Sequence, residues 1–215
     1  MHTIALFGAT GKTGSILVKK LTAKGYHLSA LVRNPSKLSY SNALLTAVQG
    51  DVLNEQSVYK VLEKSDVVIN VIGHVKGCPP DLQTVASRNI LAGMNKFGIT
   101  RLIDLTGGAV QVEGDNPKWP DKLIAFIMKN LAGRAVRARF TDGVNHVKLI
   151  SKSNLEWTIV RAPVLLPGKA KGRTSIGMVG HIPGYSLTFE DLTDKIINIL
   201  EDKSFVRQYP YITNG

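Results

Sequence analysis

Three glycines near the start of the chain carry the clearest chemistry in the sequence. Gly8, Gly11 and Gly14 directly follow the apolar run Ile4–Phe7 and precede apolar residues at helical spacing. A glycine turn between strand and helix suits a phosphate, because the backbone can approach the ligand closely and the helix N-terminus presents free N–H groups. The spacing differs from the commoner G-x-G-x-x-G. We predict a dinucleotide site here, the alternative being a turn used only for packing.

Two cations follow the second predicted strand, Leu28–Val32. In dinucleotide folds an acid at this point holds the ribose 2′-OH of NAD, whereas a basic residue accommodates the 2′-phosphate of NADP. Arg33 occupies the position, and Lys37 is a second cation that can reach the same phosphate. The pair predicts NADP(H) in preference to NAD(H). Asp51, after the third strand, either accepts a hydrogen bond from the adenine amino group or caps the following helix.

The fourth predicted strand ends at Gly73 and His74, in a loop that also contains Cys78. Loops at the carboxyl ends of parallel strands line the ligand crevice, so Gly73 is expected to let the backbone approach the cofactor. His74 is a candidate acid or a polar surface residue beside the cofactor, and we favour the surface role. Cys78 is expected to be a passive thiol. A single cysteine forms no internal disulfide, which favours a reducing, cytoplasmic setting.

Hydrophobic periodicity predicts strands and helices in alternation along most of the chain. This order predicts an α/β fold, a doubly wound parallel sheet in one domain over 1–215, with 164–215 as a small lobe over the crevice. The predicted strands are Ile4–Phe7, Leu28–Val32, Leu45–Gln49, Asp66–Ile72, Leu102–Leu105 and Trp157–Val160. The first predicted helix ends near Lys24 with Gly25 as its C-cap, the second covers Ser57–Leu62, and the third spans Leu82 to Gly98. A fourth carries an apolar face at Leu123, Ile124, Ile127 and Met128. Two further helices are predicted to begin near Thr141 or Asp142 and at Thr188.

The formal net charge of +11 is concentrated in one part of the chain. Between Lys118 and Lys152, eight Lys or Arg face two Asp, a local net charge of +6. A solvated basic helix face, an anionic ligand or a nucleic acid would each account for it. No zinc-finger spacing or aromatic RNA-binding motif accompanies the charge, so we expect neither a nucleic-acid partner nor a metal site.

No apolar run approaches the roughly 18 residues needed to span a bilayer. The first residues already follow a strand pattern, so no signal peptide is expected. We therefore expect no membrane partner.

Four motifs together resemble a known family. They are G-A-T-G-K-T-G at Gly8–Gly14, V-R-N at Val32–Asn34, G-D-V at Gly50–Val52, and S-N-L-E-W-T-I-V-R-A-P at Ser153–Pro163. The chain resembles the atypical short-chain dehydrogenase/reductase group over nearly all its length. Within that group it is similar to the NmrA-like and biliverdin reductase B (flavin reductase)-like NAD(P)H-binding proteins.

The resemblance implies a set of cofactor contacts. It places the glycine turn, with Lys12, on the pyrophosphate, Thr10 and Thr13 beside the phosphates, and Arg33 on the 2′-phosphate. It also implies adenine contacts from Asp51 and Val52, and a nicotinamide end formed by Gly73, His74, Thr106, Lys148, Pro163 and Val164.

Two departures from the family pattern bear on catalysis. Lys148 stands at the lysine of the Tyr-x-x-x-Lys pair, but Val144 occupies the tyrosine position. Gly107 stands where flavin-reductase-like members carry a serine. No proton donor is identified, and Lys148 and Thr106 are left with orienting roles.

Two functions fit this pattern. Flavins and quinones delocalise charge and can take a proton from solvent, so the first is an NADPH-dependent reductase of such a conjugated acceptor. The basic segment would then attract an anionic acceptor such as FMN. The second is a redox-sensing regulatory protein that binds NADP(H) without turnover and acts on a protein partner.

Overall fold

The computed structural model describes residues 2–215. Its strands are β1 (Thr3–Phe7), β2 (His27–Val32), β3 (Leu45–Gln49), β4 (Val67–Asn70), β5 (Arg101–Gly107), β6 (Glu156–Ala162), β7 (Val164–Leu166), β8 (Ser175–Gly177), β9 (Ser186–Thr188) and β10 (Tyr211–Thr213). Its α-helices are α1 (Lys12–Ala23), α2 (Glu55–Leu62), α3 (Leu82–Phe97), α4 (Trp119–Asn130), α5 (Gly133–Ser151) and α6 (Phe189–Glu201).

The main sheet has the strand order β3-β2-β1-β4-β5-β6-β10-β8. Every neighbouring pair is parallel except β8 with β10, which is antiparallel at the edge. The order reverses between β1 and β4, where open α/β sheets bind their ligands. The predicted doubly wound parallel sheet is confirmed.

Alternate residues of β1 face opposite layers of the core. Ile4 and Leu6 pack among the side chains of α1 and α6, whereas Ala5 and Phe7 pack among those of α2, α3 and α5. All four are fully buried. Burial on both faces explains why the central strands are almost wholly apolar in sequence. The two layers fix the carboxyl ends of the strands, where the site lies.

The segment 164–215 is divided between the main fold and a small addition. Its helix α6 packs on α1, with Lys20 bonded to Glu190 and Asp194, and its strand β10 pairs with β6. Only β7, β9 and the connecting loops form the expected lobe, as a separate two-stranded sheet. The predicted start of α6 is confirmed, because Thr188 Oγ1 accepts a hydrogen bond from the Asp191 N–H.

The predicted start of the helix near Thr141 is wrong. Helix α5 already begins at Gly133, and Asp142 is buried in its interior. The Asp142 carboxylate nevertheless caps a helix, because it accepts hydrogen bonds from the N–H groups of Gln83 (2.7 Å) and Thr84 (2.9 Å) at the start of α3. The residue type therefore indicated the right chemistry but the wrong helix.

Of the helices within residues 2–215, none combines the length and apolarity needed to cross a membrane.

Candidate functional site

The glycine turn after β1 admits no side chain at two of its positions. Gly8 has φ +92°, and a Cβ there would lie 2.8 Å from the Val71 carbonyl oxygen. A Cβ on Gly14 would lie 2.1 Å from the Gly8 carbonyl oxygen. The Gly11 N–H closes the turn by donating to Gly8 O at 3.0 Å. Glycine is therefore required both for the turn and for the close packing of α1 against it.

The N-terminus of α1 is open to a ligand. Gly11 is its N-cap, no side chain caps it within residues 2–215, and its first turn contains no acid. Thr10, Gly11 and Lys12 are exposed, whereas Thr13 is buried beneath the turn. Free N–H groups, the positive dipole end and the Lys12 ammonium fit a pyrophosphate.

Arg33 and Lys37 lie beyond the end of β2, Arg33 just before a short 3₁₀ turn, Pro35–Lys37, and Lys37 as its last residue. The Asn34 side chain accepts a hydrogen bond from the Ser36 N–H and fixes this turn. Both cations are exposed, and neither forms a salt bridge in the described part of the chain. These free cations fit a 2′-phosphate.

Asp51 does not cap the following helix, so that alternative is wrong. One carboxylate oxygen accepts a hydrogen bond from the Leu53 N–H, while Asn54 caps α2 through the Ser57 N–H. The contact of Asp51 with adenine stays a prediction. Val52 is almost fully buried in the core.

His74 is not the polar surface residue that we expected. Its side chain is only 7% exposed, and Nε2 lies 3.0 Å from Asp142 Oδ2 and 3.3 Å from the Pro80 carbonyl oxygen. The ring therefore ties the loop after β4 to α5. Gly73 is exposed, and an added Cβ meets nothing within 4 Å, so no close contact in the protein requires glycine there.

A cavity of about 250 Å³ opens at the carboxyl ends of β5 and β6. Its walls come from the ends of these strands, from α4 and from the C-terminal segment, and they are mainly apolar. The lining residues are Gly107, Gly108, Ala109, Gln111, Asp121, Ile124, Met128, Ala162, Pro163, Val164, Val179, Tyr185 and Tyr211. Pro163 and Val164, which were expected at the nicotinamide end, both lie in this wall.

Two tyrosines in the cavity wall were missed in the sequence. Burial, followed by the charge of Asp121, raises the pKa of Tyr185 above its ordinary value. Burial raises the pKa of Tyr211 to about 12, with smaller contributions from Asp121 and Tyr185. Both phenols therefore stay protonated at neutral pH and can donate hydrogen bonds. They lie in the C-terminal segment, where no motif indicated them.

A family model described as NAD(P)H-binding matches residues 8–203. The chain belongs to this NAD(P)H-binding family. The match confirms that the chain belongs to an NAD(P)H-binding family, as predicted. The preference for NADP(H) and the NmrA-like or flavin-reductase-like subgroup stay predictions.

The curated relatives are partial matches. Eugenol synthase 2 of Clarkia breweri is 26% identical over 144 residues, which cover 63% of this chain and 44% of that protein. The uncharacterized protein YwnB of Bacillus subtilis is 28% identical over 115 residues, covering 54% of this chain and 51% of YwnB. The chain thus spans about half the length of these relatives.

Solved structures match over the whole chain. The oxidoreductase ylbE of Lactococcus lactis has a TM-score of 0.81 at 21% identity, covering 99% of this chain and 91% of that one. A short-chain dehydrogenase/reductase of Veillonella parvula in complex with NADP has a TM-score of 0.78 at 18% identity, covering 99% of this chain and 95% of that one. At such identities the likeness shows the Rossmann-like fold.

The structure does not bring Lys148 or Thr106 into the cavity wall. Lys148 is exposed near the end of α5, which leads to the start of β6 and thus to the opposite edge of the sheet. The side chain of Thr106 is buried, close to Gly143 of α5, and its hydroxyl has no hydrogen-bond partner within residues 2–215. Val144 is partly buried and packs against the core. In this NAD(P)H-binding chain the predicted lysine therefore lies away from the candidate site.

A buried polar network lies beneath the crevice. The Asp104 carboxylate accepts hydrogen bonds from Asn70 Nδ2 (2.7 Å) and from His146 Nε2 (2.9 Å). Burial lowers the pKa of His146, but the carboxylates of Asp104 and Asp142 together raise it by more, so the net shift is upward. The network joins β4, β5 and α5 under the site.

Proposed function

We propose that this protein is an NADPH-dependent reductase of a flat, conjugated and largely apolar acceptor, such as a quinone or an isoalloxazine ring. The observation that carries the proposal is the apolar cavity at the ends of β5 and β6, on the same edge of the sheet as the glycine turn. Ligand sites of this kind combine apolar walls with a few placed polar groups.

Different residues on the cofactor side bind different parts of the nucleotide. The turn Gly8–Gly14 and the N-terminus of α1 hold the pyrophosphate through backbone N–H groups. Arg33 and Lys37 hold the 2′-phosphate, which makes NADPH the preferred nucleotide. When bound, NADPH supplies a hydride. The Veillonella relative in complex with NADP supports this choice.

The acceptor-side residues orient the acceptor and exclude water. Ile124, Met128 and Val179 cover the ring, and the Tyr185 phenol donates a hydrogen bond to the acceptor oxygen on which negative charge develops. Burial and then the negative charge of Asp121 raise the pKa of Tyr185, so its phenol stays a donor to higher pH than an ordinary tyrosine.

The cavity wall bears on the charge of the acceptor. It contains no Lys or Arg among the described residues, and its one charged side chain is Asp121. The cavity therefore offers no cation that would bind an anionic acceptor such as FMN, which we had expected the basic segment to attract. We accordingly place uncharged acceptors first, with riboflavin ahead of FMN.

Turnover with a panel of quinones, riboflavin and FMN tests the proposal. The rate is measured from the loss of NADPH absorbance. The control is Gly11→Asp. Aspartate is a favourable N-cap at this extended position, but its charge repels the pyrophosphate, so the variant should fold and lose the cofactor. The proposal requires turnover at least tenfold above this control.

The same experiment distinguishes the reductase from the regulatory alternative, a protein that binds NADP(H) without turnover. If the parent protein binds NADPH but turns over no acceptor above Gly11→Asp, the reductase proposal fails and binding without turnover is supported.

A further inference from the structure

Helix α4 presents an apolar surface to solvent. Six of the ten large hydrophobic side chains that are exposed within residues 2–215 lie between Trp119 and Leu131, and no residue of α4 is buried. Trp119 is 76% exposed, Phe126 55% and Leu131 69%. An ordinary surface helix buries one apolar face, so α4 has an unpartnered one.

The helix has two different apolar faces. Asp121, Ile124 and Met128 contribute to the cavity wall. At about 100° per residue, Trp119, Leu123 and Phe126 lie on the opposite side of the helix and Ile127 lies at its border. We call the surface formed by these four residues the outer face. The outer face is therefore not explained by the cavity.

Exposed cations accompany the outer face in α4 and in the start of α5, the helix that follows it. Between 118 and 139 there are six exposed Lys or Arg against one Asp, a net charge of +5. None of the six forms a salt bridge in the part of the chain that the structure describes. They are Lys118, Lys122, Lys129, Arg134, Arg137 and Arg139.

The sequence led us to expect no membrane partner because no apolar run can span a bilayer, but binding at the surface of a bilayer needs no such run. We propose that the outer face of α4 docks on an anionic lipid bilayer surface. A helix that carries Trp, Phe, Leu and Ile on one side and Lys and Arg beside them lies in the interface plane, with the apolar side chains among the acyl chains and the cations at the anionic headgroups. A second copy of this chain is the weaker occupant, because two such faces would bring together two surfaces of like charge. The docking is independent of reductase activity.

The two tryptophans of the chain make the docking measurable. Trp119 is 76% exposed on the outer face, whereas Trp157 is 4% exposed in the core. We expect the full chain to cosediment with vesicles containing about one third phosphatidylglycerol in phosphatidylcholine. The Trp119 emission should shift to the blue as it enters the interface, and Trp119→Phe should remove that shift. Vesicles of phosphatidylcholine alone should bind at least about tenfold less protein.

Paired variants assign the binding to α4. Lys122→Glu with Lys129→Glu should weaken partitioning at least about tenfold, and so should Phe126→Asp. The matched control, Lys60→Glu with Lys64→Glu, makes the same charge change on exposed lysines at α2 and should bind more than tenfold better than the α4 pair. Because no α4 residue is buried, the variants should keep the thermal midpoint of the parent.

Three results would overturn the proposal. The first is equal binding to neutral and anionic vesicles, or to neither. The second is an equal loss from the α2 and α4 charge reversals. The third is concentration-dependent dimerisation in the absence of lipid that Phe126→Asp abolishes, which would assign the outer face to a second copy.

Discussion

Arg161 and Asp115 form a buried, two-pronged ion pair that holds one wall of the cavity. Nη1 donates to Asp115 Oδ2 at 2.7 Å and Nη2 to Oδ1 at 2.9 Å, and both side chains are almost completely covered. The same carboxylate accepts hydrogen bonds from the N–H groups of Val112 and Val179. The pair thus joins the end of β6 to the loop after β5 and to Val179 in the cavity wall.

Asp115→Ala should be strongly destabilising. The change leaves the Arg161 guanidinium buried without its anion, which typically costs about 3–5 kcal/mol. Urea denaturation should show this loss in the free energy of unfolding. The double variant Asp115→Leu with Arg161→Met should recover part of it, because no unpaired charge remains. A loss below about 1 kcal/mol for Asp115→Ala would show that the pair is not buried as described.

Serine substitutions at two adjacent glycines should have opposite consequences. A Cβ on Gly107 meets nothing within 4 Å, so Gly107→Ser should keep the parent stability and add a hydroxyl at the cavity wall. A Cβ on Gly108 would lie 2.6 Å from the Tyr211 ring and 3.1 Å from the Ala162 carbonyl oxygen, so Gly108→Ser should lose about 1–3 kcal/mol. Thermal melting compares them directly, and equal midpoints would contradict the predicted cavity wall.

The stability of the protein should fall as pH rises through the titration of His146. Its pKa in the folded state is raised, so its contribution is fully present below the unfolded value of about 6.5 and is lost as pH rises through the folded value. Unfolding free energies between about pH 6 and pH 9 should therefore decline more steeply in the parent than in Asp104→Asn, which lacks the main charge that raises this pKa. Parallel curves would refute the assignment.

Lys148→Ala and Tyr185→Phe should distinguish the site predicted from the sequence from the cavity that we propose as the site. Lys148 is exposed away from the cavity, so its removal should leave kcat/KM for NADPH-dependent reduction within about twofold. Loss of the Tyr185 hydrogen bond, about 0.5–1.5 kcal/mol, should lower kcat/KM by about two- to twelvefold.

The same tyrosine should set the alkaline limit of the reaction. Partial burial and Asp121 raise the pKa of Tyr185. The alkaline limb of the pH–rate profile, where activity falls, should therefore lie above the ordinary tyrosine pKa of about 10. Asp121→Asn should move that limb to lower pH. A limb that does not move, or a larger loss from Lys148→Ala than from Tyr185→Phe, would exclude Tyr185 as the donor.

Local patterns predicted the bounds of β3 and the need for glycine in the turn after β1. Strand β3 has the predicted bounds, and the glycine turn requires glycine at Gly8 and Gly14 for the steric reasons that its spacing indicated. These features depend on residues that are close in the sequence. Local periodicity is therefore enough to predict them.

The cavity wall could not be predicted in the same way. Tyr185 and Asp121 are 64 positions apart in sequence, and only the return of the C-terminal segment to the crevice brings them together. The capping of α3 by Asp142 and the pairing of His74 with Asp142 likewise depend on contacts between distant elements. The position of Lys148 was inferred from a motif whose tyrosine is missing, and the helix turns that lysine to solvent.

Titration with NADPH and NADH tests the central claim most directly. The parent and Arg33→Asp are each titrated with both nucleotides, with exposed Lys24→Asp as a matched charge change at the far end of α1. We predict that Arg33→Asp weakens NADPH at least about tenfold and NADH by less than about twofold, while Lys24→Asp leaves both nearly unchanged. An equal loss of both nucleotides in Arg33→Asp, or no binding of NADPH to the parent, would contradict the account.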